Sequence, residues 1–311
     1  MHDAQTKLRE TAKDLLVSAK VDLVLGFQNG SLPLRTRPCF ARNAADAGRL
    51  VWNRLCTNNL AVYLPRLFEK PANVRGPWTP PKVAVVAKGC DARSIMGLVK
   101  EHQVIRENVV IIAMPCQGMI SLRKAEAAGA SARTSKLDGD DLVAQACLEC
   151  IQPSVPGANI IIDGPSRSAA SDRFQRVKDF EALTAAERWQ QFVAQVSKCI
   201  RCYACRQACP NCYCKTCFID QTKPSWAGVG DDPTDLLLFH IGRVFHQAGR
   251  CVECDACVRA CPVGIDLRLF TQKLVKDVEE LFGYVPGTSL EEAPPLSTYR
   301  PDDSECFITD P

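Results

Sequence analysis

The sequence predicts an α/β domain with a mostly parallel sheet over residues 1–195, a mainly α-helical domain over residues 196–285 and an extended C-terminal tail over residues 286–311. In the first part, short β-branched runs alternate with helical stretches, which is typical of α/β domains. In the second part, two cysteine-rich motifs are separated and followed by segments whose apolar residues recur at helical spacing. The tail is rich in proline and acidic residues, a composition that favours extended chain.

Five short apolar runs predict the strands of the first domain. The third and fourth runs flank residues 92–100, whose apolar spacing indicates a crossover helix. A strand-helix-strand unit of this kind implies parallel pairing and a right-handed connection. The predicted strands cover residues 21–25, 61–64, 83–87, 109–113 and 160–162.

The helices near and within the second domain begin and end at recognisable signals. Thr184 and Glu187 form a capping box, in which each side chain satisfies a free backbone N–H, and the helix that follows leads toward the first cysteine motif. Asp232 and the following proline predict the start of a helix that continues through Phe245. A third apolar stripe begins at residue 267 and ends before Gly283.

Composition restricts the class of protein. The net charge of +3 is small for 311 residues and is spread along the chain, so the sequence indicates neither nucleic-acid binding nor a polybasic membrane anchor. Residues 1–13 are polar, and no window has the apolar length of a spanning helix, so we expect a cytoplasmic protein without a transmembrane segment. Eighteen cysteines in a reducing compartment indicate metal ligation rather than disulfides.

Two copies of one cysteine motif carry the chemistry of the second domain. Each has the spacing C-x2-C-x2-C-x3-C-P, which is that of bacterial ferredoxins. Three closely spaced thiolates hold one 4Fe-4S cubane, and the fourth cysteine of each motif reaches the other cubane. Zinc is the alternative, but zinc sites do not require the third cysteine, the x3 step and the proline. The predicted sets are Cys199, Cys202, Cys205 and Cys261 for one cluster, and Cys251, Cys254, Cys257 and Cys209 for the other.

A third set of cysteines is predicted in the α/β domain. Cys90 and Cys116 each follow a predicted strand, and the carboxyl ends of parallel strands meet at one edge of the sheet, where open α/β sheets place their ligands. Cys147 and Cys150, in a C-x2-C pair, supply two further thiols for a third 4Fe-4S cluster. The alternative is two buried free cysteines and an incidental pair.

The remaining candidates are weaker. Cys212, Cys214 and Cys217 follow the first motif and suit either part of another metal site or a redox or packing role. The isolated cysteines are predicted to be free thiols. The two histidines before the second motif are predicted to have a structural or surface role rather than to bind metal, because the cysteines already fill both cubanes. No Ser-His-Asp, paired-carboxylate or nucleophile-elbow signature stands out. A turn between Gly26 and Gly30 is predicted to be a bare turn rather than a phosphate loop. The isolated cysteines are Cys39, Cys56 and Cys306, and the histidines are His240 and His246.

Two resemblances follow from these motifs. The long spacing between the ferredoxin motifs resembles the helical dicluster ferredoxins of succinate dehydrogenase iron-sulfur subunits and heterodisulfide reductase small subunits. The segments around Cys90, Cys116 and Cys147 are similar to the beta subunits of deazaflavin-reducing hydrogenases and formate dehydrogenases. The second resemblance implies an electron-relay subunit and makes FAD or FMN a candidate cofactor. In those enzymes the ferredoxin module precedes the α/β domain, whereas here it follows.

The function expected from the sequence is that of a cytoplasmic iron-sulfur electron-transfer subunit of a multi-subunit oxidoreductase, without catalytic residues of its own. Its expected partners are a flavoprotein, a formate dehydrogenase, a hydrogenase or a heterodisulfide-reductase-like subunit. One alternative is a self-sufficient flavin-dependent reductase of a nicotinamide or deazaflavin cofactor. The other alternative is a redox sensor or scaffold that uses the clusters structurally.

Overall fold

The computed structural model describes residues 2–129, 139–228 and 230–298. A five-stranded sheet organises the first half of the chain, in the spatial order β2-β1-β3-β4-β5. Strand β2 is antiparallel to β1, and the other neighbouring pairs are parallel. The expected mostly parallel α/β architecture is therefore confirmed. The strands are β1 (Leu23–Asn29), β2 (Thr36–Ala41), β3 (Val83–Ala87), β4 (Val109–Ala113) and β5 (Ile160–Ile161).

Helices cover the sheet in the first half of the described chain. The predicted crossover helix is present between β3 and β4, and it begins three residues earlier than expected, at Gly89. Asp91 explains this early start, because its carboxylate accepts a hydrogen bond from the Lys88 backbone N–H and caps the first turn. The helices are α1 (His2–Val17), α2 (Ala44–Ala47), α3 (Leu64–Leu67), α4 (Gly89–Lys100), α5 (Leu122–Ala127) and α6 (Gln145–Leu148).

The predicted strand at residues 61–64 is wrong. Residues Leu60–Tyr63 form a 3-10 helix that leads directly into α3. The Asn59 side chain accepts a hydrogen bond from the Ala61 N–H, and a proline in the first turn of α3 favours helix. The Leu60 N–H donates to the Asp91 carboxylate at 2.7 Å, so the segment packs on the start of α4 rather than in the sheet.

Strand β2 was not predicted. Its charged residues and Pro38 do not resemble a buried strand, but β2 lies at the edge of the sheet, where proline is tolerated. Because β1 turns back into this antiparallel neighbour, no helix follows it that could offer its N-terminus to a phosphate. Gly26 lies within β1, and Gly30 closes the hairpin through a hydrogen bond to the Arg35 carbonyl.

The second half of the described chain is mainly helical, as expected. The predicted helices after Thr184, Asp232 and residue 266 are all present, and Gly283 ends the last one in the left-handed conformation. The helices are α7 (Gln175–Glu181), α8 (Ala185–Val196), α9 (Ala204–Ala208), α10 (Pro233–His246), α11 (Ala256–Ala260) and α12 (Leu267–Phe282).

Aromatic contacts hold the second half together, and hydrogen bonds from Arg93 join it to the first half. The Phe270 ring on α12 contacts Phe180 of α7 and Phe192 of α8 edge to face, with centroids 5.9 and 4.9 Å apart. The buried Arg93 of α4 donates to the backbone carbonyls of Val252 and Pro286. The first residues of the predicted extended tail are therefore held against the α/β half, and the part of the tail beyond residue 298, including Cys306, lies outside the described residues.

Candidate iron-sulfur centres

The backbone of the two ferredoxin motifs has the same unusual conformation in both copies. Arg201 and Tyr203 in the first motif have φ of 48° and 57°, and Glu253 and Asp255 at the equivalent positions of the second have φ of 59° and 63°. Non-glycine residues adopt this left-handed region at a cost, so its occurrence at matching positions points to a function. It turns backbone N–H groups toward the thiols: the Arg201 N–H donates to Cys199 Sγ at 3.3 Å, and the Glu253 N–H donates to Cys251 Sγ at 3.4 Å.

The structure brings the first predicted set of thiols together across the two motifs. Cys199 lies within electrostatic range of Cys202 and of Cys261 from the second motif, and Cys205 lies near both Cys199 and Cys261. Cys205 and Cys261 are buried in one small apolar cluster with Ile219 and Phe239, while Cys202 is exposed. The fourth cysteine of the second motif therefore does reach the site of the first.

The second predicted set is crossed in the same way. Cys257 interacts electrostatically with Cys251, Cys254 and Cys209, and Cys209 comes from the first motif. Burial raises the pKa of Cys251 to about 12, with the nearby Glu253 carboxylate adding to the effect. Burial therefore favours the protonated thiols, and a bound iron core would supply the positive charge that a buried thiolate requires.

The third set lies beyond the carboxyl ends of the parallel strands β3 and β4, which is where the sequence predicts it. Strands β3 and β4 pair in register to Ala87 and Ala113, so the segments that carry Cys90 and Cys116 leave the sheet side by side. Cys116 interacts electrostatically with Cys147 and Cys150, and burial raises the pKa of Cys116 to about 11. Cys90 is in the first turn of α4 rather than in a loop. All four thiols line one cavity.

The three sets are neighbours in space. Cys90 of the α/β set interacts electrostatically with Cys254 of the second set, and Cys254 also lines the cavity of the α/β set. Cys212 lies near Cys257 of the second set and Cys205 of the first. The order is thus the α/β set, the Cys251 set and the Cys199 set, which ends at the exposed Cys202.

Buried cations accompany these thiols and were missed from the sequence. Lys88 and Arg93 line the α/β cavity, and Arg93 also interacts electrostatically with Cys251 of the second set. Arg243 of α10 is buried near cysteines of both ferredoxin sets. Basic residues inside predicted helices usually face solvent, and only the apolar surroundings of Arg243 in the sequence, between Ile241 and Val244, hinted at its burial.

The remaining cysteines and histidines have separate places. Cys212 accepts a hydrogen bond from Cys209, Cys217 accepts one from Arg206, and Cys214 is exposed. Cys39 and Cys56 are buried in the apolar core of the α/β half, and every described cysteine is a free thiol. His246 is exposed beside the Phe218 ring, whereas His240 is buried with both ring nitrogens unpartnered.

The described residues contain neither a site for a single metal ion nor a membrane-spanning helix. Within residues 2–129, 139–228 and 230–298, three or more His, Cys, Asp or Glu side chains nowhere converge closely enough to hold one metal ion. A lone zinc ion has all its thiolates at about 2.3 Å, whereas a cubane takes one thiolate at each of its four irons. In the part of the chain that the structure describes, none of the helices has the length and apolar character needed to cross a bilayer.

Comparison with known proteins extends this picture. Residues 195–265 match the family model of the 4Fe-4S dicluster domain. The chain is 31% identical over 124 residues to the F420-dependent formate dehydrogenase subunit beta of Methanocaldococcus jannaschii, a match that covers 40% of this chain and 31% of that protein. It is 34% identical over 115 residues to the F420-dependent formate dehydrogenase 1 subunit beta of Methanococcus maripaludis, covering 37% and 28%.

These matches span less than a third of either relative's own length. Residues 195–265 are therefore similar to 4Fe-4S dicluster domains, and about two fifths of the chain is similar to part of the beta subunits of F420-dependent formate dehydrogenases.

Proposed function

We propose that this chain is an electron-transfer subunit of a formate dehydrogenase-like oxidoreductase complex and conducts electrons through three 4Fe-4S clusters. The observation that carries the proposal is the contiguous arrangement of three sets of four thiols. In this proposal each set holds one cubane. The ligands are Cys90, Cys116, Cys147 and Cys150 for the first cluster, Cys209, Cys251, Cys254 and Cys257 for the second, and Cys199, Cys202, Cys205 and Cys261 for the third.

The chemistry of the donor sets fits a cubane. Backbone N–H groups already donate to thiol sulfurs in both ferredoxin motifs, and such hydrogen bonds tune the potential of a bound cluster. Buried cations lie beside each set and offset the net negative charge of a thiolate-ligated cubane. The clusters would supply one-electron transfer, and the polypeptide fixes their spacing and excludes water.

The exposed end of the row of three cysteine sets is the expected contact point for one partner. Cys202 is exposed, and Ile200, two residues earlier in the chain, is 61% exposed, so the exposed part of this motif includes an apolar side chain. The α/β set lies at the other end, where a partner's redox centre would exchange electrons. The proposed partner is a flavoprotein, a formate dehydrogenase, a hydrogenase or a heterodisulfide-reductase-like subunit. The proposed compartment is the cytoplasm, whose reducing conditions keep thiols free to bind metal.

Iron and acid-labile sulfide per chain, measured on anaerobically purified protein, test the proposal. Three cubanes predict about twelve irons and twelve sulfides per chain. Cys116→Ser removes one ligand of the α/β set and should lower both values by about four. Cys39→Ser, a change at a buried cysteine outside all three sets, is the control and should lower neither.

Three outcomes would contradict the proposal. About eight irons in the wild type, unchanged in Cys116→Ser, would remove the α/β cluster. Stoichiometric zinc without sulfide would remove all three clusters. Stoichiometric flavin, with turnover of a nicotinamide or deazaflavin cofactor by the isolated chain, would favour a self-sufficient reductase instead.

A further inference from the structure

Helix α10 turns a stripe of polar side chains toward the ferredoxin cysteines. His240, Arg243 and Gln247 follow one another at a spacing of three and four residues, which places them on one face of α10, with Gln247 just beyond its last residue. All three are buried, with exposed fractions of 1%, 4% and 3%. A buried polar face is costly unless its groups find partners, so this stripe requires an explanation.

Gln247 already contacts the thiols. Its side-chain amide donates to Cys212 Sγ at 3.4 Å, and its carbonyl oxygen accepts from Cys209 Sγ at 3.5 Å. The stripe is therefore directed at the cysteines themselves rather than at a distant part of the domain.

Arg243 is the charged member of the stripe, and it is incompletely satisfied. One terminal nitrogen donates to the Cys205 carbonyl at 3.1 Å, but Nε and Nη1 are buried without a partner. The ionisable side chains with the strongest electrostatic effect on Arg243 are cysteines rather than carboxylates: Cys257, Cys205, Cys209 and Cys212. Cys205 belongs to one proposed cluster site, and Cys257 and Cys209 belong to the other.

A guanidinium is always protonated, and a buried one without a counter-ion costs several kcal/mol. No carboxylate is among the main charge partners of Arg243. The compensating negative charge must therefore come from the cysteines and from the group that they bind. A cubane with four thiolate ligands carries that charge, and its sulfurs accept N–H hydrogen bonds.

We propose that Arg243 is a positioning residue shared by the two ferredoxin clusters, and that its fixed positive charge and free N–H groups make both clusters easier to reduce. The inference rests on the proposed function. Each cluster gains one electron from the partner oxidoreductase, while no bond forms or breaks and the guanidinium keeps its proton. Because reduction adds one negative charge to the cluster, a buried cation between the two sites stabilises both reduced forms.

Redox titration of the full chain, followed by electron paramagnetic resonance, tests the inference. At a fixed ambient potential, Arg243→Gln should lower the ratio of reduced to oxidised cluster about tenfold at both ferredoxin sites, equivalent to about 59 mV for one electron. Arg243→Lys keeps the charge and should change the ratio much less. The α/β cluster serves as an internal reference and should keep its ratio.

Arg188→Gln is the matched control, because Arg188 is an arginine of the same half whose side chain binds the carbonyls of Glu181 and Leu183. It should leave all potentials unchanged. Iron and sulfide content is measured on the wild type and on every variant. Absence of sulfide from the wild type contradicts the proposed function. Normal iron and sulfide content in Arg243→Gln with unaltered cluster potentials contradicts this inference alone.

The inference is overturned if Arg243→Gln keeps its clusters and their potentials, or if Arg243→Lys shifts them as much as Arg243→Gln. Should Arg243→Gln fail to assemble clusters, wild-type protein labelled with ¹⁵N-arginine provides the second measurement. Pulsed resonance of its reduced clusters should then detect coupling to a guanidinium nitrogen, and the absence of that coupling would refute the inference.

Discussion

The buried ion pair between Lys88 and Asp91 lies beside the proposed α/β cluster site, and its contribution to stability can be measured. The two side chains are 2% and 0% exposed, and Lys88 Nζ lies 2.8 Å from the Asp91 carboxylate. Although burial alone lowers the pKa of Lys88, the adjacent carboxylate outweighs it and raises the pKa, so the ammonium stays charged. Lys88 Nζ also donates to the Asn58 carbonyl at 2.9 Å and lies 4.7 Å from the centre of the Phe27 ring.

Lys88→Met leaves the Asp91 carboxylate buried without its counter-ion. Removing one partner of a buried pair typically costs about 3–5 kcal/mol, mostly because the remaining charge is uncompensated. We therefore expect the free energy of unfolding of the α/β half to fall by about that amount. Anaerobic urea unfolding, followed by tryptophan fluorescence, measures it, since the buried Trp52 ring lies 6.0 Å from Lys88 Nζ.

Two comparisons make this test specific. Lys7→Met removes a lysine from an exposed pair with Asp3 and should have little effect, because solvent screens that pair. Combining Lys88→Met with Asp91→Asn removes the uncompensated carboxylate. The double variant should therefore lose less free energy of unfolding than the sum of the two single variants. The reasoning is refuted if Lys88→Met is no more destabilising than Lys7→Met, or if the two effects at the buried pair simply add.

Two further predictions concern His240 and Gly89. Burial, with a contribution from Arg243, lowers the pKa of His240 to about 4, below the value of about 6.5 in an unfolded chain. Between these values only the unfolded chain binds the proton, so stability falls by up to about 3 kcal/mol as the pH drops from about 6.5 to about 4. His240→Gln should flatten this part of the stability profile, and an unchanged slope would contradict the assignment. At Gly89 an added Cβ would lie 1.8 Å from the Gln152 carbonyl oxygen, so Gly89→Ala should destabilise the start of α4, typically by about 1–3 kcal/mol in thermal unfolding. Gly97→Ala on the same helix meets nothing closer than 3.8 Å and should be neutral or slightly stabilising; equal losses in the two variants would show that the Gln152 contact is not responsible.

The predictions from sequence succeeded where the signal was local. The capping box at Thr184, the cap at Asp232 and the final Gly283 are short-range features whose hydrogen bonds form within one helix. The prediction failed at residues 61–64, where apolar residues fit either a strand or a short buried helix and the tertiary contact with Asp91 decided between them. It also missed β2, because an edge strand needs no apolar run.

The spacing of the cysteines in the two ferredoxin motifs by itself indicated iron-sulfur chemistry and predicted which of those thiols share a site, because three thiolates at steps of three residues can wrap around one cubane. Only the tertiary structure decided what surrounds them: the in-register ends of β3 and β4, the position of Cys90 inside a helix turn, and the burial of Arg243. Ligand spacing is a property of neighbouring residues, whereas the burial of a charge depends on side chains that lie far apart in the sequence and meet only after folding.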